Sequence, residues 1–159
     1  DTGAHTDMNC QIFQKSTEAI VEDLAAMFAA GYSWEASPEK LFPILRERGK
    51  KTEEKMFAAT GGVNTHKGII FTIGILAAAA GISLRNYGKI ESESVCRISL
   101  EMTKKELEQD LRKLKQSSGI THGEKIYCHL GEKGVRGLAM TGYPILCELV
   151  FWGRLRFLI

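Results

Sequence analysis

The sequence predicts an all-α fold built as a single helical domain. Apolar residues recur at helical spacing in successive segments, and capping residues bound several of these segments. Sustained alternation of apolar and polar residues, the pattern of a strand, does not occur before the short apolar stretch at 145–152. A length of 159 residues favours one domain with a sizeable core.

The first part of the chain contains three predicted helices. The first ends at Gly31, which is a suitable C-terminal stop. The stretch SPEKLFPILRERG offers Ser37 as an N-cap and Gly49 as a stop, and Pro43 inside it predicts a short or broken helix. A third helical pattern covers about residues 52–59.

The most apolar helix is predicted over residues 65–80. Most of its faces are apolar, which is typical of a central helix packed on several sides. The apolar run at 69–82 is shorter than a membrane span and leads into a Gly-Ile-Ser turn. The sequence therefore predicts a buried helix and no membrane.

A long charged amphipathic segment follows, and its apolar stripe runs from Val95 to Leu114. The capping-box pair Thr103 and Glu106 predicts that this segment divides into two helices. The sequence SSG then forms a linker, and Thr121 opens a further helix by the same capping logic.

Composition restricts the classes of partner and the compartment. A net charge of +2 provides no broad basic field, so nucleic acid is not an expected partner. The four cysteines are scattered, without a C-x-x-C pair, and indicate a reducing cytoplasm. We expect a helical domain at 1–144 and a distinct apolar tail at 145–159, whose burial against a second subunit would make a homo-oligomer.

The junction ATGGVNTHKGIIF, at 59–71, is the strongest candidate for a binding site. Glycines let the backbone approach a ligand, and the first N–H groups of the following helix attract anions. A lysine adds a charge suited to phosphate, and a histidine adds a donor or proton carrier. The candidate phosphate-binding residues are Gly61, Gly62, Asn64, Thr65, His66 and Lys67. The alternative is that Asn64 or Thr65 only caps the helix and Lys67 is solvated.

Three further features are candidates for chemistry. Asp7 lies beside His5 just before the first helix, where it can bind a divalent cation, act as a base, or only favour the helix dipole. Glu53 precedes the glycine pair by one to two helical turns and can face the same pocket or only solvent. Arg136, between glycines, is either an anion clamp or part of a turn-rich connector.

These motifs together resemble the triphosphoribosyl-dephospho-coenzyme A synthases, which make the prosthetic-group precursor of citrate lyase and malonate decarboxylase. TGGVNTHKG matches the family pattern in full. AHTDM matches the Ser-His-Lys-Asp-Met-like start of the pattern, the segment from Glu53 to Met56 matches its E-x-x-M, and GVRGLA matches its Arg-Gly segment in part. Their order and spacing agree over about residues 1–144. Two features depart from the family: Leu138 stands where the family has a glutamate, and family chains are longer at both ends.

The resemblance implies an all-α enzyme that joins ATP to 3'-dephospho-coenzyme A and releases adenine. The 2'-hydroxyl of dephospho-coenzyme A would attack the anomeric carbon of ATP through an oxocarbenium-like state. Glu53, His66 and Asp7 are then the catalytic candidates. Asp7 and Glu53 are also the candidate ligands of Mg²⁺. The glycine-rich junction would hold the triphosphate, with Arg136 as a second clamp.

Three other functions remain open at the level of sequence. The chain can bind nucleotide without catalysis, because of Leu138 and the missing terminal segments. It can be a helical interaction module in which the junction is only a cap. It can also be a helical, metal-dependent hydrolase of nucleotides.

Overall fold

The computed structural model describes residues 8–114 and 122–146. This part of the chain contains a short 3₁₀-helix at Pro38–Lys40 and six α-helices. The α-helices are α1 (Cys10–Tyr32), α2 (Phe42–Thr60), α3 (Lys67–Tyr87), α4 (Ser92–Leu114), α5 (His122–Leu130) and α6 (Gly134–Met140). The described residues contain no strand, which confirms the all-α prediction. Thr121, the SSG linker, Cys147 and nearly all of the apolar tail lie outside the described residues.

Helix α3 is the central element and packs against α1, α2 and α4. It has 21 residues and ends where Gly88 adopts a φ of +68°. The predicted turn at the Gly-Ile-Ser sequence was therefore wrong, because the helix continues through it. Length and hydropathy alone would let α3 cross a membrane, but 44% of its most apolar window is buried inside the domain.

Two glycines set the close approach of α1 and α3. A Cβ atom on Gly31 would overlap the carbonyl oxygen of Ala78, and one on Gly81 would overlap the carbonyl oxygen of Phe28. Gly31 lies inside α1, which ends only at Ser33, so its predicted role as a stop was wrong. Both glycines are needed for helix contact and not for chain reversal.

Helix α2 is longer than the sequence predicted. Pro43 lies in its first turn, where a proline costs no hydrogen bond, and the preceding 3₁₀-helix takes up the break. Gly49 lies in the interior of α2, so the predicted stop there was wrong, and the separate helix predicted at 52–59 is the second half of α2. Gly61 ends the helix with a φ of +67°.

Helix α4 is continuous, so the predicted division at Thr103 was wrong. The buried hydroxyl of Thr103 donates to the carbonyl of Ser99 at 2.8 Å and lies 3.1 Å from the carbonyl of Ala139. It therefore helps to join α4 to α6, where a capping residue would have bonded the start of a new helix. The main core, which includes Met27, Phe42, Ile75, Met102 and Leu107, lies between these helices.

Candidate functional site

The two glycines of the junction end α2 and turn the chain toward α3. Gly61 and Gly62 have φ values of +67° and +91°, a conformation that side chains disfavour. The N–H of Gly62 donates to the carbonyl of Phe57 at 2.8 Å. Both glycines are exposed. Their conformation thus shapes the loop that positions the residues after them.

Asn64 lies two residues before His66, the N-cap residue of α3, and its side chain bonds the first turn of the helix. Its Oδ1 accepts the backbone N–H of Lys67 at 3.3 Å. The first backbone bond within α3 runs from Ile70 to His66, so the N–H groups of Gly68 and Ile69 precede it. Capping by Asn64 is therefore compatible with an anion at this helix start.

His66 is buried against α1, with only 8% of its surface exposed. Its Nδ1 lies 2.6 Å from the hydroxyl of Ser16 and 3.1 Å from that of Thr65. The ring of Phe13 meets it edge-on at a centroid distance of 5.3 Å. Burial lowers the pKa of His66 below its ordinary value, because the imidazolium loses solvation. His66 is therefore neutral at pH 7.

A cavity of about 1150 Å³ lies beside the junction, with walls from α2 to α6. Asn64, Lys67 and Gly68 contribute to its wall from the junction. Its charged lining residues are the cations Arg46, Lys50, Lys67, Lys113, Lys133 and Arg136 and the acids Glu53, Asp110, Glu124 and Glu132. The structure thus brings Glu53, Lys67 and Arg136 together around one space, although Arg136 is 69 residues from Lys67 in the sequence.

The two predicted phosphate-binding cations each form an ion pair within the cavity. Lys67 Nζ lies 2.9 Å from Glu53 Oε2, and Arg136 Nη2 lies 3.1 Å from Glu124 Oε1. The cation side chains are 43% and 33% exposed. Pairs with this much solvent contribute about 0–1 kcal/mol each, so a multiply charged anion can replace the acid partner. Arg136 lies on α6, which corrects the connector interpretation.

Aromatic side chains also line parts of the cavity. They include Phe42, Phe57, Phe71 and Tyr127. The guanidinium of Arg46 lies 4.8 Å from the ring centre of Phe42 and donates to Asp110 at 2.6 Å. The cavity therefore offers flat apolar surface for a ring system next to cations for phosphate.

A second, smaller groove of about 540 Å³ lies between α3 and α4. Its lining is apolar, with Ile73, Leu76, Ile90 and Val95 among its residues and no charged side chain. A polyanion would find no cation there. The larger cavity is therefore the candidate site.

The described residues provide one of the two predicted metal ligands. Asp7, like His5, lies outside the described residues. Within the described ranges no group of three or more His, Cys, Asp or Glu side chains is placed to hold a metal ion. Mg²⁺ in nucleotide sites is held by one or two carboxylates together with phosphate oxygens, so Glu53 on the cavity wall suits that arrangement.

Several site residues were missed by sequence reasoning. Ser16 belongs to no motif, and its contact with His66 depends on the packing of α1 against the junction. Glu124 was not singled out as a site residue, and its carboxylate contacts Arg136. Lys50 and Lys133 line the cavity, although each looks like an ordinary surface lysine in the sequence. Thr65 was identified, but its hydroxyl donates to Ser16 at 2.6 Å.

Comparison with known proteins identifies the family. The family model described as CitG, ATP:dephospho-CoA triphosphoribosyl transferase, matches residues 1–152. A probable 2-(5''-triphosphoribosyl)-3'-dephosphocoenzyme-A synthase of Streptococcus pyogenes serotype M49 (strain NZ131) is 34% identical over 159 residues, which cover 93% of this chain and 54% of the relative. The protein of the same name from serotype M18 (strain MGAS8232) is 34% identical over 157 residues, which cover 92% and 53%.

The chain spans about half the length of these curated relatives. No solved structure matches it. The family match covers nearly the whole chain and includes Glu53, the TGGVNTHKG junction and Arg136. The chain belongs to the ATP:dephospho-CoA triphosphoribosyl transferase family.

Proposed function

We propose that this chain forms the ATP-binding part of an enzyme that transfers the triphosphoribosyl group of ATP to 3'-dephospho-coenzyme A. The observation that carries the proposal is the shared cavity. Lys67 and Arg136, from two separate motifs of the family, line one space with the start of α3. That space also has aromatic side chains suited to the adenine ring.

In this proposal the triphosphate lies between the start of α3 and α6. Lys67 and Arg136 turn from their acid partners toward phosphate oxygens, and the N–H groups of Gly68 and Ile69 add neutral donors with the helix dipole. Each rearrangement gives up about 0–1 kcal/mol, whereas a charge-assisted hydrogen bond contributes about 1.5–3 kcal/mol. Gly61, Gly62 and Thr65 act by shaping the loop, and Asn64 by holding its cap.

The transfer breaks the bond between the anomeric carbon of ATP and N9 of adenine. The 2'-hydroxyl oxygen of dephospho-coenzyme A forms the new bond to that carbon and loses its proton, and adenine gains one on leaving. Glu53, on the cavity wall, is the described carboxylate suited to accept the hydroxyl proton or stabilise the oxocarbenium-like state. His66 does not line the cavity but lies in the junction beside it, and we assign it to hydrogen bonding or proton transfer from there, with Asp7 to assist it.

Mg²⁺ bound to the triphosphate would neutralise part of its charge. Glu53 and Asp7 are the residues that we propose as its protein ligands. With Lys67 turned toward phosphate, the carboxylate of Glu53 would be available to the ion. The product would be the prosthetic-group precursor of the acyl carrier protein of citrate lyase or malonate decarboxylase. We place this reaction in the cytoplasm, where the exposed Cys10 would remain a reduced thiol.

Calorimetry with ATP and Mg²⁺, paired with an assay of adenine release in the presence of 3'-dephospho-coenzyme A, tests the proposal. We expect saturable ATP binding and adenine release that depends on the second substrate. ATP binding without adenine release would support the nucleotide-binding alternative, for which Leu138 in place of the family glutamate is the specific observation. Absence of ATP binding and of any ATP-induced rise in melting temperature would contradict the proposal, since a ligand of the native state must stabilise it.

A further inference from the structure

We infer that Ser16 is a positioning residue that fixes the orientation and tautomer of His66, so that His66 presents Nε2–H as its free ring donor. Ser16 lies on α1, 50 residues before His66, and its oxygen is 2.6 Å from Nδ1. The inference deepens the role of His66 and rests on the proposed function for its catalytic meaning. The orientation and tautomer of His66 are inferred from the hydrogen bonds alone.

The tautomer follows from the direction of the hydroxyl bonds. The hydroxyl of Thr65 donates to Ser16 Oγ at 2.6 Å, so the Ser16 oxygen already accepts one proton. Ser16 is fully buried, and its own proton needs an acceptor. Nδ1 of His66 is the acceptor within reach in the described structure. A neutral imidazole that accepts at Nδ1 carries its proton at Nε2.

His66 is held from three parts of the fold. Phe13 and Ser16 contact it from α1, Thr65 contacts it from the junction, and the backbone N–H of His66 lies 3.1 Å from Met56 Sδ on α2. Rotating the ring by half a turn would separate Nδ1 from both hydroxyls. The buried hydroxyl pair therefore selects one ring orientation as well as one tautomer.

A serine 2.6 Å from a histidine also resembles a nucleophile and its base. Ser16 has no exposed surface, and the contacts of its oxygen are to Thr65 and His66. A substrate cannot reach this oxygen without opening the contact between α1 and the junction. Ser16 therefore acts through His66, and a hydrolase built on Ser16 as nucleophile is not supported.

The arrangement has a chemical consequence for the transfer reaction. Burial holds His66 in its neutral form. With Nδ1 occupied by the hydroxyl of Ser16, a neutral His66 donates from Nε2 and does not abstract a proton there. His66 is not among the residues that line the large cavity. As a donor it would suit a phosphate oxygen or the departing adenine only where the substrate reaches the junction beside that cavity, and the base role then belongs to a carboxylate.

Two-bond ¹H–¹⁵N NMR of the ¹⁵N-labelled chain at pH 7.5 tests the inference directly, because the two nitrogens of a neutral histidine have distinct shifts in each tautomer. We expect a pyridine-like Nδ1 and a protonated Nε2 at His66. In Ser16→Ala we expect the shifts to move toward an average of both tautomers. Thr65→Val removes the proton that Thr65 donates to Ser16 and frees the Ser16 oxygen to accept from Nδ1–H, so we expect a smaller shift toward the same average.

Ser99→Ala is the matched control for deleting a buried helical hydroxyl, since Ser99 bonds only within α4 at 2.8 Å. It should leave the His66 spectrum unchanged. A proton on Nδ1 in the wild-type chain, or an unchanged tautomer in Ser16→Ala, would overturn the inference. Both readings are independent of activity, so they separate failure of this inference from failure of the proposed function.

If the chain releases adenine, Ser16→Ala should lower kcat about 10-fold or more with ATP affinity nearly unchanged, because general acid–base catalysis contributes about 10²–10⁴-fold. Equal loss of kcat in Ser99→Ala would instead show a general effect of destabilisation and contradict the positioning role.

Discussion

Replacing Lys67 by alanine tests the phosphate-binding cavity most simply. In the proposed complex, Lys67 gives up its ion pair with Glu53, about 0–1 kcal/mol, and gains a charge-assisted bond to phosphate, about 1.5–3 kcal/mol. The alanine variant loses this difference, and the carboxylate of Glu53 is left without the cation that lies 2.9 Å away. We expect a net loss of about 1–3 kcal/mol in binding, which is about a 5- to 150-fold rise in the Kd of ATP.

Isothermal calorimetry without added Mg²⁺ measures this effect apart from any metal ligation by Glu53. The double variant Lys67→Ala/Glu53→Gln should recover part of the loss, because it also removes the uncompensated negative charge. Lys55→Ala is the matched control: Lys55 pairs with Asp23 at 2.7 Å and does not line the cavity. It should leave the Kd within about twofold, the range expected for a distant site.

An unchanged Kd in Lys67→Ala would remove Lys67 from the site. Equal weakening by Lys55→Ala would show that a general electrostatic or folding effect, and not a local phosphate contact, causes the loss. A further loss in the double variant would contradict the view that Glu53 opposes the triphosphate.

Three more predictions follow from the same structure. Gly31→Ala should lower the free energy of unfolding, measured by urea denaturation, by at least about 2 kcal/mol, because the new Cβ would overlap the backbone of α3. Gly49→Ala is the control: the nearest atom to its Cβ is a side-chain atom 4.0 Å away, so the change should be neutral or stabilising by up to about 1 kcal/mol. Equal effects of the two substitutions would contradict the packing argument. The free energy of unfolding should fall as the pH drops below 6.5, because the pKa of His66 in the folded chain lies below that ordinary value and the unfolded chain therefore binds more protons. In His66→Asn the free energy of unfolding should decrease less between pH 7 and pH 5. An identical decrease in this variant would refute His66 as the cause. Arg136→Ala should raise the Kd of ATP about 5- to 30-fold in the same calorimetric titration, because it loses a phosphate contact of about 1–2 kcal/mol. Arg97→Ala, at an exposed arginine outside the cavity, should leave the Kd unchanged.

The helical class was predictable because it depends on local periodicity. The predicted ends of helices were less accurate, and the errors have a common physical origin. Gly31, Gly49 and Gly81 were interpreted as stops or turns, but each continues its helix. A glycine is a stop when the chain needs a positive φ and a packing residue when another backbone approaches, and the second need depends on the tertiary fold.

Polar residues inside helices show the same limit of prediction from local sequence. Thr103 and Glu106 satisfy the spacing of a capping box, yet the Thr103 hydroxyl is buried and contacts a carbonyl on α6. The sequence shows the capping-box spacing, but it does not show which group the Thr103 hydroxyl contacts. Local capping competes with tertiary hydrogen bonding, and only the packed structure shows which of them a given hydroxyl makes.

The candidate site was predictable as far as its residues form motifs. Glu53 was expected to face either the pocket at the junction or solvent, and the fold places its carboxylate 2.9 Å from Lys67 Nζ. His66 and Thr65 were also singled out, but their side chains contact α1, where Ser16 had no distinguishing signal. Motifs identify which residues matter more readily than which partner each one contacts.

The most direct measurement of the central claim is a titration of the ¹⁵N-labelled chain with ATP, followed by amide and arginine side-chain NMR signals. We expect the largest shifts at the N–H groups of Gly68 and Ile69 and at the guanidinium of Arg136, with smaller changes around the apolar groove at Ile73 and Ile90. Shifts centred on that groove, or none at the start of α3 at saturating ATP, would contradict the assignment of the cavity as the ATP site.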